Sequence, residues 1–272
     1  MIAAVAAIAI GGTIAFFSDV ETSTGNTFTA GTLDLKIDNE CYYNGDPVAE
    51  CTWGLSDLST STLFFNFTDL KPGDWGEDTV SLHVYDNDAW ACVKFKNLLN
   101  NDNSCNEPEC VAEGGTGCAA STTDKCGIDP NAGELAQNLN FFFWADVCKR
   151  LGTPKGPEGP IPPALPGDNI YQPYCDIPLM SGPASNLLPG PVTYTLADSD
   201  ENNVGGGVGD PLTGSHDYFI GKAWCFGVLT PEITTYPNGY QVAEMKCDGQ
   251  LVDNKSQSDS LTGDIEFYAE QA

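Results

Sequence analysis

The chain has 272 residues and a formal net charge of −27, with 38 acidic side chains against 11 basic ones. That balance repels nucleic-acid phosphates and anionic membrane surfaces, which excludes nucleic acid as a partner and leaves cations or basic surfaces as the charged partners it suits. With 41% hydrophobic and 18% charged residues the chain can bury a core, and its 29 glycines and 18 prolines favour a β-rich architecture of many turns over long helices.

From the N-terminus, Met1 to Ile10 is an apolar run of the length of a signal-peptide core, and Thr13-Ile-Ala15 supplies a small-x-small cleavage site. Residues 1–15 therefore read as a signal-like segment cleaved after Ala15, too short for a bilayer crossing of about 20 residues. No basic residue precedes Phe16, so a second reading stays open in which the segment is retained as a buried extended strand. No stable membrane anchor is expected after processing. Residues 16–26 form an N-terminal segment, and 27–272 form the folded domain.

Within that domain, Thr27 to Ile37 alternates, with Leu33, Leu35 and Ile37 on one face and Asp34 and Lys36 on the other, as in a half-buried strand. Thr62 to Phe67 alternates likewise and runs into the turn Lys71-Pro-Gly-Asp74. Thr79 to Tyr85 and Ala89 to Phe95 read as strands joined by a tight hairpin-like connection at Asp86-Asn-Asp88. Later candidates are Leu139 to Val147, Val192 to Leu196, Tyr218 to Val228, Gly239 to Met245 and Gly263 to Ala269. Eight to ten such strands predict an all-β fold, a two-sheet sandwich of the jelly-roll kind. Two stretches break the pattern and read as loop insertions, one at about 100–133 and a proline-dense one at 152–191.

Eleven cysteines without paired CxxC zinc spacing point to disulfides formed in an oxidising compartment. The disulfide candidates are Cys41 and Cys51, and Cys105, Cys110, Cys118 and Cys126, which staple the first insertion. An odd count leaves one thiol, either buried or linking two molecules.

Of the acidic residues, Asp198, Asp200 and Asn202 alternate hard oxygen ligands in one loop, a pattern that suits calcium, although Asn203 stands where an EF-hand requires glycine. The same loop also reads as a solvated acidic turn. No cofactor is required by any motif. Asn66-Phe-Thr68 and Asn254-Lys-Ser256 are glycosylation sequons. There is no GxSxG elbow, P-loop or dinucleotide fingerprint, and Gly205-Gly-Gly207 reads as flexible loop.

Several motifs taken together carry a family resemblance. Gly11-Gly-Thr-Ile-Ala15 leads into Phe16-Phe-Ser-Asp19, then Asn26-Thr-Phe-Thr-Ala-Gly-Thr-Leu-Asp-Leu35. Leu70 to Asp74 supplies a Leu-Lys-Pro-Gly-Asp turn, Asn87 to Ala89 an Asn-Asp-Ala stretch, and Asp259 to Gln271 a closing strand. The set resembles the TasA/camelysin family over roughly the first hundred and last thirty residues. The resemblance implies a jelly-roll domain exported through a dedicated signal peptidase. In fibre-forming members it implies head-to-tail self-assembly by donor-strand complementation, which would make Phe16, Phe17 and Val20 the pocket-filling side chains of the donor.

The function expected is thus a structural subunit of an extracellular pilus-like or biofilm-matrix filament, with further copies of the chain as partner. A monomeric secreted surface protein of the same fold is the alternative. The metallopeptidase reading attached to camelysin ranks third, because a zincin sets two histidines one helical turn apart around a glutamate. The two histidines here, His83 and His216, lie in no HExxH context.

Overall fold

The computed structural model describes residues 33–103, 106–112, 114, 133–149, 155–156, 159–160, 164–236 and 239–272. Its larger sheet contains β1 (Leu33–Tyr43), β2 (Asp46–Pro47), β3 (Trp53–Ser56), β4 (Trp75–Asp86), β6 (Leu139–Ala145), β9 (Ile177–Pro183) and β11 (His216–Phe226). The main path runs β2-β1-β4-β11-β6-β9, with β3 also against β1. A smaller sheet pairs β10 (Val192–Ala197), β5 (Ala89–Asn101) and β14 (Ser260–Gln271) in the order β10-β5-β14. Two hairpins stand apart, β12 (Val228–Thr235) with β13 (Gln241–Asp248), and β7 (Lys155–Gly156) with β8 (Gly159–Pro160). Every pairing of these strands is antiparallel. The helices α1 (Glu107–Ala112), α2 (Leu135–Asn138) and α3 (Ala184–Leu187) are one or two turns each.

The two sheets face each other, as the period-two alternation predicts. Ile37, Val80, Leu82, Val84 and Ile220 from the larger sheet meet Ala91, Val93, Phe95 and Leu196 from the smaller in one core. Because alternate side chains of a strand take opposite faces, the outward residues of the larger sheet need their own cover. Trp144 and Ala223 find it against Tyr171 and the β13 residues Ala243 and Met245. Gly221 lies opposite Trp144 in the β11–β6 register, and a Cβ there would sit 2.0 Å from the indole.

Three expectations need correction. The Asp86–Asp88 connection is not a hairpin, because β4 and β5 belong to different sheets. Asp86 adopts φ 63° and turns the chain out of the larger sheet, and Ala89 then pairs with Leu212. Thr62 to Phe67 forms no strand; it is irregular chain whose phenylalanines plug the sandwich end and cleft. The proline-dense stretch is not all loop, since Ile177–Pro183 adds to β6 as an edge strand and α3 follows it. Pro178 and Pro183 are tolerated there because an edge strand need not donate on its outer side.

Three disulfides join described residues: Cys41–Cys51 beside β1, Cys148–Cys175 after β6, and Cys225–Cys247 tying β11 to β13. Cys110 is also disulfide-bonded, whereas Cys105, Cys118 and Cys126 lie outside the described residues. Among the described residues the free thiol is Cys92 on β5, half-buried, with burial raising its pKa. No helix among the described residues is long and apolar enough to cross a membrane.

Candidate functional site

Between the two sheets lies a cleft of about 390 Å³, lined by strands of both. Its floor is core: Val80 and Ile220 on one side, Val93, Phe95 and Phe267 on the other. β9 lines the cleft through Leu179 and Met180, and β10 through Thr193 to Leu196. Among the described residues both are edge strands, β9 paired only to β6 and β10 only to β5. The cleft therefore sets an apolar trough beside two strands that are sheet edges among the described residues.

Glu201 and Lys222 are the charged residues that line this cleft, and Lys222 is paired. Lys222 on β11 and Asp78 on β4 stand opposite each other, with Nζ 2.5 Å from Oδ2 and side chains 2% and 0% exposed. Lys222 Nζ lies 3.8 Å from the centre of the Phe65 ring and donates to the Phe64 carbonyl at 3.4 Å. Burial lowers the Lys222 pKa and raises that of Asp78, and the attraction between them opposes both shifts only in part.

Two groups of carboxylates converge elsewhere. Asp102, Glu109 and Asp259 each bring one oxygen within 4.8 Å of the others. Asp259 also accepts from the Glu134 and Leu135 amides at the start of α2, and Glu109 accepts from Ser258 Oγ. Oxygen-only donors of this kind suit a hard cation, not zinc. Beyond β6, burial and the neighbouring Asp176 and Asp168 push the Asp146 carboxyl up to about 8. Burial also lifts Asp176 to about 6, against the opposing amide hydrogen bonds it accepts from Gln172, Cys148 and Val147.

The residues expected to matter fall in different places. Phe16, Phe17 and Val20 lie outside the described residues. The Asp198 loop is a stapled turn: Asp198 Oδ1 accepts from the Asp200 and Glu201 amides at 2.8 and 2.9 Å, and Asn202 Oδ1 from Val204 and Gly206 at 3.1 and 2.9 Å. Those amide bonds hold Asp198 below the usual carboxylate range. Asn66 is exposed in irregular chain and Asn254 is exposed in a 3₁₀ turn. The sequence reading passed over the Lys222–Asp78 pair, because a lysine within a strand pattern carries no sign that it faces inward.

A further observation concerns the N-terminal third of the chain. Residues 1–84 match the family described as camelysin metallo-endopeptidase. The match agrees with the resemblance carried by the motifs from Gly11 to Leu35 and the turn at Leu70, and it ends within β4. No curated protein is similar enough to the chain to count as a relative.

The camelysin name raises the question of a catalytic metal, and the histidines bear on it directly. In the β4–β11 register His83 is opposite Asp217 and His216 opposite Val84, so strand alternation sends the two imidazoles to opposite faces of one sheet. His83 contacts Asp217 through Nδ1 at 2.7 Å and Asp38 through Nε2 at 3.2 Å. His216 packs edge-on against Tyr218. Among the described residues, the acid, cysteine and histidine groups close enough to share an ion are the Asp102 cluster and Cys148, Cys175 and Asp176. The two cysteines of the latter are spent on a disulfide.

Proposed function

We propose that the chain is a structural, non-catalytic subunit of an extracellular filament, and that it polymerises by donor-strand complementation. The observation carrying this reading is the apolar cleft flanked by the edge strands β9 and β10. An extended segment seated there would satisfy strand-edge backbone groups while its apolar side chains fill the trough. The occupant is the segment from Phe16 to Thr24 of a neighbouring copy, with Phe16, Phe17 and Val20 entering the cleft. Because donor and acceptor are different parts of the molecule, each contact is head-to-tail and does not close, so it propagates as a fibre. The camelysin-family match over residues 1–84 covers that donor segment and supports the same reading. The three disulfides support maturation in an oxidising environment, as an extracellular fibre requires. The opposed histidines support a scaffold over a zinc peptidase.

Deleting Phe16 to Thr24 tests the reading directly. Negative-stain electron microscopy should show filaments for the full mature chain, and only compact particles of unchanged far-UV circular dichroism for the truncated one. Filaments that persist without the segment would remove the donor role; a full chain that never polymerises would leave a monomeric surface protein of this fold.

A further inference from the structure

We propose that Lys222 and Asp78 become covalently joined by an intramolecular amide bond between Lys222 Nζ and Asp78 Cγ, tying β11 to β4 inside the sandwich. The geometry is that of reactants held together. The residues are direct partners in the β4–β11 ladder, Nζ lies 2.5 Å from Oδ2, and the side chains are 2% and 0% exposed. The two groups form an ion pair sealed from water, so the amine nitrogen and the carboxyl carbon are held as neighbours with no solvent between them. The Phe65 ring packs against the amine, and the Phe64 carbonyl accepts one of its hydrogens.

The chemistry needs no further reactant. Two charges held out of water cost several kcal/mol each in desolvation, which favours transfer of a proton from the ammonium to the carboxylate. Burial moves the two groups in the directions this transfer requires, Lys222 down and Asp78 up. The neutral amine then attacks Cγ of the neutral carboxylic acid and a C–N bond forms. The C–O bond to the hydroxyl breaks, that oxygen leaves as water with the proton released by nitrogen, and nothing is oxidised or reduced. Fixing the groups in contact replaces a bimolecular encounter by an intramolecular one of high effective concentration, and loss of the water from an apolar pocket opposes the reverse reaction. The product is an uncharged amide where an ion pair stood.

Intact mass spectrometry of the full mature chain, after complete reduction of its disulfides, tests this. The expected mass is lower by one water than that calculated from the N-terminus found by sequencing. Trypsin should fail to cut after Lys222 and should release a branched peptide joining the Lys222 and Asp78 segments. In Asp78→Asn the same branched linkage should appear with loss of ammonia, and in Asp78→Ala the cut after Lys222 should return. Both peptide readouts are made on denatured chain and hold even where a variant folds poorly. An unaltered mass, or a water loss that maps elsewhere while trypsin cuts freely at Lys222, would overturn the proposal.

Discussion

At Asp146 a carboxyl with 0% exposure has one oxygen on the Asn169 amide and the other without a partner, with Asp168 and Asp176 nearby. Folding therefore raises its pKa to about 8, and that of Asp176 to about 6. A carboxyl raised in the folded state binds its proton more tightly there than in the unfolded chain. Its contribution to stability is complete below the unfolded value of about 3.9 and is lost as pH rises through the folded one. The protein should thus be most stable near pH 4 and weaken from about pH 4 to about pH 8, by on the order of 1.4 kcal/mol for each unit separating the two pKa values. Asp146→Asn, which keeps an oxygen for the Asn169 amide and cannot ionise, should flatten that slope and unfold later than the parent at the alkaline end. Urea midpoints across the pH range check this, and parallel slopes for the two proteins would count against it. The sequence had 38 acidic residues to choose from, and nothing in the spacing of Asp146 marked it as one of the few facing inward.

Among the elements, the hairpin β12–β13 depends most on a covalent tie. It forms its own two-stranded sheet and reaches the body through Met245 and Ala243 over Trp144, the Ala243 amide bonding the Tyr171 carbonyl, and Cys225–Cys247. Replacing both cysteines by alanine should cost about 3 kcal/mol, as expected for a loop of this length, and should expose the hairpin to proteolysis before the sandwich unfolds. Limited digestion with a midpoint measurement checks it; a hairpin that resists cleavage would mean the packing alone suffices. The same hairpin shows where pattern reading stops. Tyr218 to Val228 reads as one strand, yet the chain breaks at Gly227, where φ is 144° and a Cβ would sit 2.3 Å from the Asp248 carbonyl. β1 and β14 were legible because alternation and burial agree in them, and β6 because it is a short apolar run. β9 was hidden because its prolines outweigh its short apolar pattern, and only pairing with β6 makes it a strand.

For the molecule as a whole, the two-sheet architecture was readable from strand count and alternation, while the pairing order was not, since sheet-crossing connections depend on contacts far apart in sequence. The site was legible in part. The family motifs pointed to a donor segment, but the cleft exists only once β9 and β10 are placed on different sheets. Net charge governs a further expectation. In the proposed filament, subunits each carrying −27 would repel one another as they join, and raising ionic strength from about 10 mM to about 150 mM shortens the screening length from about 30 Å to about 8 Å. Polymerisation followed by light scattering should therefore accelerate with salt over that range. A rate that falls instead would indicate opposite charges meeting at the contact.

The ladder between β1 and β4 runs without a break from Leu33 opposite Asp86 to Tyr43 opposite Gly76. In the filament proposed above, tension directed along β1 from its first residue, Leu33, loads the strand lengthwise and not across it. Such loading is shear: the backbone hydrogen bonds resist together, whereas a strand peeled from its end surrenders them one at a time. Near the far end of that strand Cys41 is bonded to Cys51, so a pulled β1 cannot slide out without drawing the covalent loop after it. A fibre drawn taut should therefore fail between subunits before its domains open.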